Sequence, residues 1–512
     1  MTTEPDYPTF DAAYRAGRPQ LVWRRLIDDL ETPVSAYLKI AHGRPYAFLF
    51  ESVEGGAWRG RYSIVAMNPD LVWRCWGERA ETAEDAQIDE GRFQTAEDKA
   101  LDSLRDLVAR SRLEIPTGLP PMAGGLFGVI GYDMVRLAEH LPGMNDDPLG
   151  LPDAIMIRPS IVAIFDAIAQ EIILVTTVRP RTGTDPRRAY DEAQARIDAV
   201  VADLAAPLPA KSAADGAPSP VELASPVDEA AYGAIVERAK RYIEAGDIFQ
   251  VVPSHRFTAR YGGSPFALYR SLRRTNPSPF LFYLNFPGFQ LVGSSPEILV
   301  RLRDGKITIR PIAGTRPRGG TPAEDLALEK ELLADEKERA EHLMLLDLGR
   351  NDVGRVARLR DKGRNSRPEG AGRPMVRVTE SFTVERYSHV MHIVSNVEGD
   401  APEGLDPVDV LMAALPAGTL SGAPKVRAME IIDELETVKR GLVYAGAVGY
   451  FGADGSVDTC IVLRTGLIKD GVLHVQAGGG VVADSDPSAE YQETLQKSGA
   501  LRRAAREAWR FA

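Results

Sequence analysis

Short apolar segments separated by turn residues run through the first third of the chain, and this pattern restricts the fold to one built largely on strands. Residues 46–50, 161–165 and 171–177 are five to seven residues long and rich in aromatic or β-branched side chains. Segments of this length and composition are typical of strands in a mostly antiparallel sheet. Residues 187–204 instead carry apolar side chains at helical spacing.

The second half mixes strand and helix patterns without strict alternation. Residues 324–348 are predicted to form one long helix, and residues 443–451 and 459–467 are predicted strands. Because a doubly wound fold requires strands and helices to alternate, we predict an α+β fold with antiparallel sheets.

Composition divides the chain into two parts. Residues 205–226 are rich in Ala, Pro and Ser and have few large apolar side chains, which is typical of a linker. We therefore predict an N-terminal region, 1–204, and a C-terminal region, 227–512. A basic loop rich in Gly and Pro, 361–374, is predicted to be a surface insertion.

Charge and cysteine content exclude several classes of protein. The 512 residues carry a formal net charge of −11, which repels a phosphate backbone and argues against nucleic acid as the main partner. The two cysteines, Cys75 and Cys460, lie in unrelated contexts, which excludes a CxxC metal site and favours a reducing cytoplasm. No apolar run approaches the roughly 18 residues of a membrane span, and the polar N-terminus is no signal peptide. We predict a soluble, cytoplasmic protein.

Two pairs of glutamates have a spacing that could serve a metal ion. Glu338 and Glu341 lie three residues apart on a predicted helix, and so do Glu490 and Glu493. Spacing of i,i+3 places each pair on one helix face, and four carboxylates from two helices could surround one cation. Ligands that are all oxygen favour Mg²⁺. Solvated surface glutamates would show the same spacing, which therefore does not decide between the two interpretations.

Three glycine-containing segments could approach an anion. They are residues 311–316, 418–425 and 477–480, each beside a predicted strand end or helix start. Backbone N–H groups at such positions can bind a carboxylate or phosphate, although each segment also fits an ordinary turn. The GxxxxGK[ST] spacing is absent, which argues against nucleotide binding.

Few side chains remain for proton transfer or ion pairing. His389 and His392 lie in one predicted strand, and either could act as an acid or base. Arg464 and Lys497 could pair with a carboxylate, although Lys497 also fits an ordinary i,i+4 pair with Glu493. The residues alone are compatible with a Mg²⁺-dependent enzyme acting on a carboxylate, without requiring one.

A set of motifs, in a fixed order, resembles the chorismate-utilising enzymes. The second half contains, in this order, KRYIEAGDIFQVVPS, GSSPEIL, PIAGTRPRG, DEKERAEHLMLLDLGRND, HVMHIVSNVEG, LPAGTLSGAPKVRAMEIIDELE, YAGAVGYF and VQAGGGVVADSDPSAEYQETLQKSGA. FLFES and GGLFGVIGYD in the first third are similar to the N-terminal region of anthranilate synthase large subunits. The resemblance covers nearly the whole chain apart from the linker and the 361–374 loop.

The resemblance implies a fold and a set of site residues. The fold is a layered β-sandwich of two large antiparallel sheets with flanking helices, and the active site lies between the sheets. Mg²⁺ would be bound by Glu341 and Glu493, assisted by Glu338 and Glu490. Glu297 would protonate the departing ring hydroxyl, and His392, rather than His389, would act in catalysis. The residues implied to contact chorismate are Gly314, Thr315, Thr419, Tyr444, Arg464, Gly478, Gly479, Gly480 and Lys497.

Two positions separate the branches of this family. Ala313 stands where aminodeoxychorismate synthases often carry a nucleophilic lysine, and Gln250 stands where isochorismate and salicylate synthases carry a lysine base. A methyl group cannot attack and an amide cannot activate water, whereas neutral ammonia needs no activation. The resemblance therefore implies ammonia addition at ring C2. The products are anthranilate and pyruvate, formed through aminodeoxyisochorismate in the first step of tryptophan synthesis.

The resemblance also implies a partner and an inhibitor. Neither cysteine lies in a glutaminase nucleophile motif, so ammonia would come from a separate glutamine amidotransferase subunit in a heterotetramer. Tryptophan would inhibit by feedback. The residues predicted to form its site are Glu51, Ser52, Asn276, Pro279, Phe280 and Leu281, with Arg61, Tyr62 and Ser63 in support. A structural turn at a domain junction is the alternative interpretation of these segments.

Four other functions stay open at this point. The enzyme could stop at aminodeoxyisochorismate, or could be an atypical aminodeoxychorismate synthase. It could instead be an inactive regulatory subunit that senses tryptophan, although the presence of all four glutamates and Arg464 argues against that. A protein that only binds a carboxylate is the fourth.

Overall fold

The computed structural model describes residues 2–52, 60–209, 221–359, 376–386 and 390–511. Within these ranges, helices α1 to α12 cover Tyr7–Arg15, Pro33–Ile40, Ala86–Asp89, Ala100–Arg110, Pro186–Ala205, Glu229–Glu244, Pro265–Thr275, Pro322–Ala334, Glu336–Leu359, Pro407–Ala414, Lys425–Leu435 and Pro487–Glu507. Strands β1 to β22 cover Gln20–Ile27, Ala47–Glu51, Tyr62–Trp76, Arg79–Glu84, Gln94–Thr95, Gly125–Ile130, Ala154–Asp166, Glu171–Val178, Gln250–Val251, Ser254–Arg260, Phe280–Phe286, Phe289–Ser295, Ile298–Arg303, Lys306–Ile309, Ile312–Pro317, Val376–Arg386, Val390–Asp400, Gly422–Ala423, Ala447–Gly452, Val457–Ile461, Thr465–Lys469 and Val472–Gly478.

The larger strands pair antiparallel in two ladders, which confirms the predicted antiparallel α+β class. The first ladder runs in the order β1-β8-β7-β3-β2-β11-β12-β21-β22-β10. The second runs β5-β4-β3-β7-β6-β19-β20-β13-β14-β17, and β15 and β16 also pair with β17.

Two long strands, β3 and β7, belong to both ladders. The start of β3 pairs with β2, whereas its end pairs with β4. The end of β7 pairs with β8, and its start pairs with β6. N-terminal strands also pair with C-terminal ones, since β2 lies beside β11 and β6 beside β19. The two regions of the sequence therefore interleave in space.

Three large buried clusters hold these elements together. One packs α1, α2, α5, α7 and α12 against the first ladder. A second packs α4, α9 and α10 against the second ladder. The third contains side chains of both ladders, and the rings of Phe50 and Phe127 lie 6.1 Å apart between their centroids. Burial of apolar surface on this scale is the main stabilising term of the fold.

The predicted helix at 324–348 is wrong in its continuity, because the structure has two helices there. Asp335 leaves the helical conformation (φ −69°, ψ 111°) at the end of α8. Its Oδ1 then accepts hydrogen bonds from the backbone N–H groups of Lys337 and Glu338, which are the unpaired donors of the first turn of α9. Asp335 therefore ends α8 and caps the N-terminus of α9, within a sequence whose charged residues look continuously helical.

Two predicted strands are also shorter than expected. Residues 443–446 form turns before β19, and Ala445 has φ +64°. Residues 462–464 separate β20 from β21, and Arg464 has φ +47°. Both conformations lie in the left-handed region that strands do not use. The apolar side chains at these positions gave no sign of the interruption.

Several other predictions have different outcomes. The helical spacing at 187–204 corresponds to α5. Residues 210–220 of the predicted linker, the loop at 361–374 and His389 lie outside the described residues, so the predicted domain boundaries stay predictions. No helix in the described part of the chain is long and apolar enough to cross a bilayer.

Candidate active site

Glu297 occupies the tight connection between β12 and β13 and is 7% exposed. Burial raises the pKa of its carboxyl to about 8, although the backbone N–H of Ile312, the hydroxyl of Thr419 and the charge of Arg464 oppose the rise. Burial in apolar surroundings disfavours the charged form of an acid. Glu297 therefore keeps its proton near neutral pH, as a general acid must.

Thr419 lies on the 3₁₀ turn Gly418–Leu420 and faces Glu297. Its Oγ1 is 3.4 Å from both carboxyl oxygens of Glu297. A Cβ added to Gly418 would lie 2.7 Å from Cδ1 of Leu348 on α9, so the Leu348 side chain would have to shift to admit a larger residue. The turn thereby brings the Thr419 hydroxyl to the acid.

His392 lies on β17 opposite Thr315 of β15. Burial lowers the pKa of its imidazole to about 4; the Gly314 carbonyl opposes this shift and the charge of Arg464 adds to it. Nδ1 is 3.0 Å from Oγ1 of Thr315 and 3.1 Å from the carbonyl oxygen of Gly314. Because a carbonyl only accepts, Nδ1 carries the proton of the neutral ring. Nε2 is then the unprotonated nitrogen.

Arg464 links these two titratable groups electrostatically. Its positive charge acts on the pKa of both Glu297 and His392. The left-handed backbone of Arg464 places it between β20 and β21, and its carbonyl accepts a hydrogen bond from Ser294 N–H at the end of β12. Three residues predicted from separate motifs are thus brought together.

The predicted glycine segment 478–480 passes between the β9–β10 connection and α12 with no room for side chains. A Cβ at Gly479 would lie 2.7 Å from Oε2 of Glu490, and one at Gly480 would lie 2.5 Å from Nε2 of Gln250. Lys497 donates from Nζ to the Gly478 carbonyl at 3.0 Å. Glycine lets the backbone approach its neighbours closely here.

The predicted metal residues border these glycines. A Cβ at Gly480 would lie 4.0 Å from Oε1 of Glu341, and one at Gly314 would lie 3.1 Å from Oε2 of Glu338. Burial raises the pKa of Glu341, and the negative charges of Glu338 and Glu493 add to the rise. Burial also raises the pKa of Glu490; the Ser485 hydroxyl opposes that shift, and Glu493 adds to it. The acidic pairs of α9 and α12 thus act on one another across the site.

These glutamates have the right donor atoms for a metal ion, but their side chains are not gathered into a ready-made binding site. The donors are all carboxylate oxygens, which hard cations prefer. Oε2 of Glu490 is buried and has no hydrogen-bond partner within the described part of the chain, so it could accept a cation. Glu338 instead pairs with Nη1 of Arg316 at 3.1 Å, and Glu493 with Lys497 at 2.6 Å. Among the described residues, no three His, Cys, Asp or Glu side chains are close enough to hold an ion together. The Mg²⁺ ligand set stays a prediction.

The residues predicted to bind tryptophan meet where β2 and β11 pair. Leu281 lies opposite Glu51, which is 4% exposed and accepts hydrogen bonds from the hydroxyl of Tyr269 and, at 2.9 Å, from Nε of Arg273. Asn276 donates to Oγ of Ser294 at 2.8 Å. Pro279 is buried and Phe280 is half-buried. Ser52 Oγ is buried without a partner among the described residues.

This junction lies next to the acid site. Phe280 pairs with Ser295, the last residue of β12, and Glu297 follows two residues later. The hydroxyl of Ser278 donates to the carbonyl of Ser295. A change at the predicted effector site would therefore act on the backbone that carries Glu297.

Sequence reasoning missed the buried ion pair of Arg440 with Glu436, whose side chains are 1% and 2% exposed. The guanidinium of Arg440 also lies over the rings of Tyr132 and Tyr444. Its only signal in the sequence is the i,i+4 spacing in ELETVKRG, which usually marks a surface pair.

Comparisons with known proteins identify the family of this chain. The family model described as chorismate binding enzyme matches residues 47–503. Anthranilate synthase component 1 of Cereibacter sphaeroides is 56% identical over 99% of this chain and 98% of its own. That of Pseudomonas aeruginosa is 48% identical over 93% of each chain.

Solved structures give the same result. Anthranilate synthase component I from Streptococcus pneumoniae superposes with a TM-score of 0.73 at 34% identity, over 94% of this chain and 99% of that one. The menaquinone-specific isochorismate synthase of Escherichia coli, at 18% identity, shares the fold with a TM-score of 0.66 over 98% and 100% of the chains. Matches of this extent show that the chain belongs to the chorismate-binding enzyme family.

Proposed function

We propose that this chain is the large subunit of an anthranilate synthase. It would convert chorismate and ammonia to anthranilate, pyruvate and water through aminodeoxyisochorismate, in the first step of tryptophan synthesis. Relatives named anthranilate synthase component 1, similar along their whole length, support this choice. The observation that carries the proposal is the buried Glu297, which is protonated near neutral pH and contacted by Thr419.

In the first stage Glu297 would donate its proton to the 4-hydroxyl of chorismate, which leaves as water. Ammonia forms the new C–N bond at C2 while the ring double bond shifts. Arg464, Thr315 and the backbone of residues 478–480 would hold the carboxylates of the substrate. In the second stage a base removes the C2 proton and the bond between ring C3 and the ether oxygen breaks, which aromatises the ring. The enolpyruvate that leaves takes up a proton at its methylene carbon and becomes pyruvate. The unprotonated Nε2 of His392 is suited to accept the C2 proton.

Glu341 and Glu493, with Glu338 and Glu490, would hold Mg²⁺. Bound there, Mg²⁺ would neutralise a substrate carboxylate and polarise the ring. The mutual repulsion of these glutamates and the partnerless Oε2 of Glu490 support the assignment.

The choice of ammonia over water is supported by Ala313 and Gln250. Ala313 is buried on β15, where a methyl group offers no nucleophile. Gln250 is 2% exposed, and its amide nitrogen points toward Gly480, with no base at this position to activate water. A neutral amide in this place suits an incoming ammonia molecule, which is already nucleophilic.

Regulation, assembly and layering are further parts of the proposal. Tryptophan would bind at the β2–β11 junction and favour an inactive arrangement of the β12–β13 connection. A glutaminase subunit would supply ammonia in a cytoplasmic heterotetramer. The two ladders would form the two layers of a sandwich, an arrangement supported by the cluster that contains side chains of both.

One assay tests the central claim. The purified chain is given chorismate, Mg²⁺ and a high ammonium concentration at mildly alkaline pH, and anthranilate fluorescence is followed with and without tryptophan. We expect fluorescence that depends on Mg²⁺ and falls with tryptophan. Chorismate loss without anthranilate would contradict the assignment and point to an aminodeoxy product.

A further inference from the structure

We propose that Arg440 is a positioning residue, whose guanidinium fixes the Thr419 turn, the Gln250 strand and the Tyr444 ring relative to one another. The inference rests on the proposed function only in that these three are taken as parts of the active site.

The guanidinium joins two segments that are far apart in sequence. Nη1 of Arg440 donates to the carbonyl of Leu420 at 2.7 Å, and Nη2 donates to the carbonyl of Val252 at 2.6 Å. Leu420 ends the 3₁₀ turn that carries Thr419. Val252 directly follows β9, the strand of Gln250. Arg440 thereby sets the separation between the turn beside Glu297 and the strand beside Gly480.

Two aromatic rings lie close to the same guanidinium. Its Cζ lies 4.8 Å from the ring centre of Tyr132 and 5.2 Å from that of Tyr444. A desolvated cation and the aromatic ring beneath it attract each other, so each restrains the position of the other. Tyr444 is thus held in orientation by a group that is not among the predicted chorismate contacts.

Glu436 neutralises the cation. Its carboxylate accepts from Nε of Arg440 at 3.0 and 3.1 Å and from the backbone N–H of Ser254 at 2.7 Å. The side chains of the pair are almost completely buried. An enclosed, neutralised pair contributes little field to an anionic substrate, so its geometry is what matters. Only a planar fork supplies nitrogens in the directions of Glu436, Leu420 and Val252 at once.

The test compares Arg440→Lys with Arg158→Lys. Arg158 is a good control because its side chain is 11% exposed and pairs with Asp70 at 2.6 Å, away from the site. Both variants are assayed by chorismate consumption in the full chain, with thermal unfolding measured in parallel. Small displacements of reacting groups cost rate strongly, so we expect kcat of Arg440→Lys to fall about 100-fold. KM for chorismate should stay within about threefold, since its carboxylates are held by other residues.

A second readout separates positioning from simple destabilisation. The Thr419 hydrogen bond opposes the raised pKa of Glu297. If Thr419 is displaced, that pKa rises further, and the alkaline limb of kcat/KM moves to higher pH. Loss of folded protein alone would lower the rate equally at all pH values and leave the limb in place.

Tyr132→Leu covers the case in which Arg440→Lys does not fold. It removes one of the two rings that contact the guanidinium but leaves every hydrogen bond of Arg440, and we expect kcat to fall about tenfold with the same displacement of the limb. Folded variants with kcat near that of Arg158→Lys, or an unmoved limb, would overturn the proposal. The identity of the wild-type product tests the proposed function separately, because the comparison of variants needs only chorismate loss.

Discussion

Two glutamates are almost equally buried but have different partners. Glu51, at the end of β2, is 4% exposed and pairs with Arg273 and Tyr269. Glu297, just after β12, is 7% exposed, and burial raises the pKa of its carboxyl although the Ile312 N–H, the Thr419 hydroxyl and the charge of Arg464 oppose the rise. A buried carboxylate in a close ion pair is structural, whereas one whose burial outweighs its polar neighbours is a proton donor. The partner therefore decides the role of the side chain.

Replacing Glu297 by glutamine should give the largest effect. Glu297→Gln removes the proton without changing shape, so kcat should fall about 1000-fold, within the range of general acid catalysis. Anthranilate formation measures the loss of activity, and thermal unfolding checks that the variant is folded. A variant that keeps a tenth of the activity would show that Glu297 is not the acid.

Glu341 of α9 offers a third environment for comparison, in which a carboxylate lies near other carboxylates. Glu341→Gln removes one negative charge from a crowded site, so the Mg²⁺ concentration for half activity should rise at least about tenfold. Without Mg²⁺ the variant should unfold at a slightly higher temperature near neutral pH. The pKa of Glu341 is raised in the folded state, so its ionisation opposes folding. An unchanged Mg²⁺ requirement in titrations would contradict the ligand assignment.

Glu51→Gln should affect regulation more than chemistry. The concentration of tryptophan for half inhibition should rise about tenfold, which is a typical coupling between sites. Stability should fall by about 1–2 kcal/mol, a modest value because Arg273 is 35% exposed. Uninhibited kcat should stay close to that of the wild type. The measurements are inhibition curves and denaturant titrations, and undiminished inhibition would remove Glu51 from the effector site.

The pH dependence of kcat/KM gives the smallest effect. Activity requires protonated Glu297, so kcat/KM should decline as pH rises through about 8. Thr419→Val deletes a hydrogen bond that opposes the raised pKa, and the decline should begin at higher pH with a fewfold loss of rate. The measurement is kcat/KM as a function of pH for the wild type and for Thr419→Val. A variant profile displaced to lower pH would show that Thr419 does not contact the ionised acid.

Sequence patterns predicted strands where burial is nearly continuous, as in β8 and the second half of β7. They failed where the backbone turns inside an apolar run, at Ala445 and Arg464. A left-handed residue in a run of apolar side chains leaves no compositional trace, because tertiary contacts impose it. The break at Asp335 had a local cause, an N-cap, but charged neighbours on both sides hid it.

The site followed a similar rule. Motifs containing Glu297, Thr419 and Arg464 predicted residues that the fold brings together. Arg440 escaped notice because its contacts are backbone carbonyls of segments far away in sequence, which no side-chain pattern encodes. The pairing of Glu338 with Arg316 was equally invisible.

The pairing of early with late strands has a consequence during synthesis. Phe127 on β6 pairs with Tyr450 on β19, and Glu51 on β2 pairs with Leu281 on β11. At ribosomal rates of about 5–20 residues per second, β6 waits roughly 15–60 s before β19 is made. Until then, β6 is an unpaired strand edge made of residues that are all buried in the folded protein. Such an edge can pair with a strand of another nascent chain. Production of this protein in a crowded cell thus depends on shielding of the early strands until translation is nearly complete.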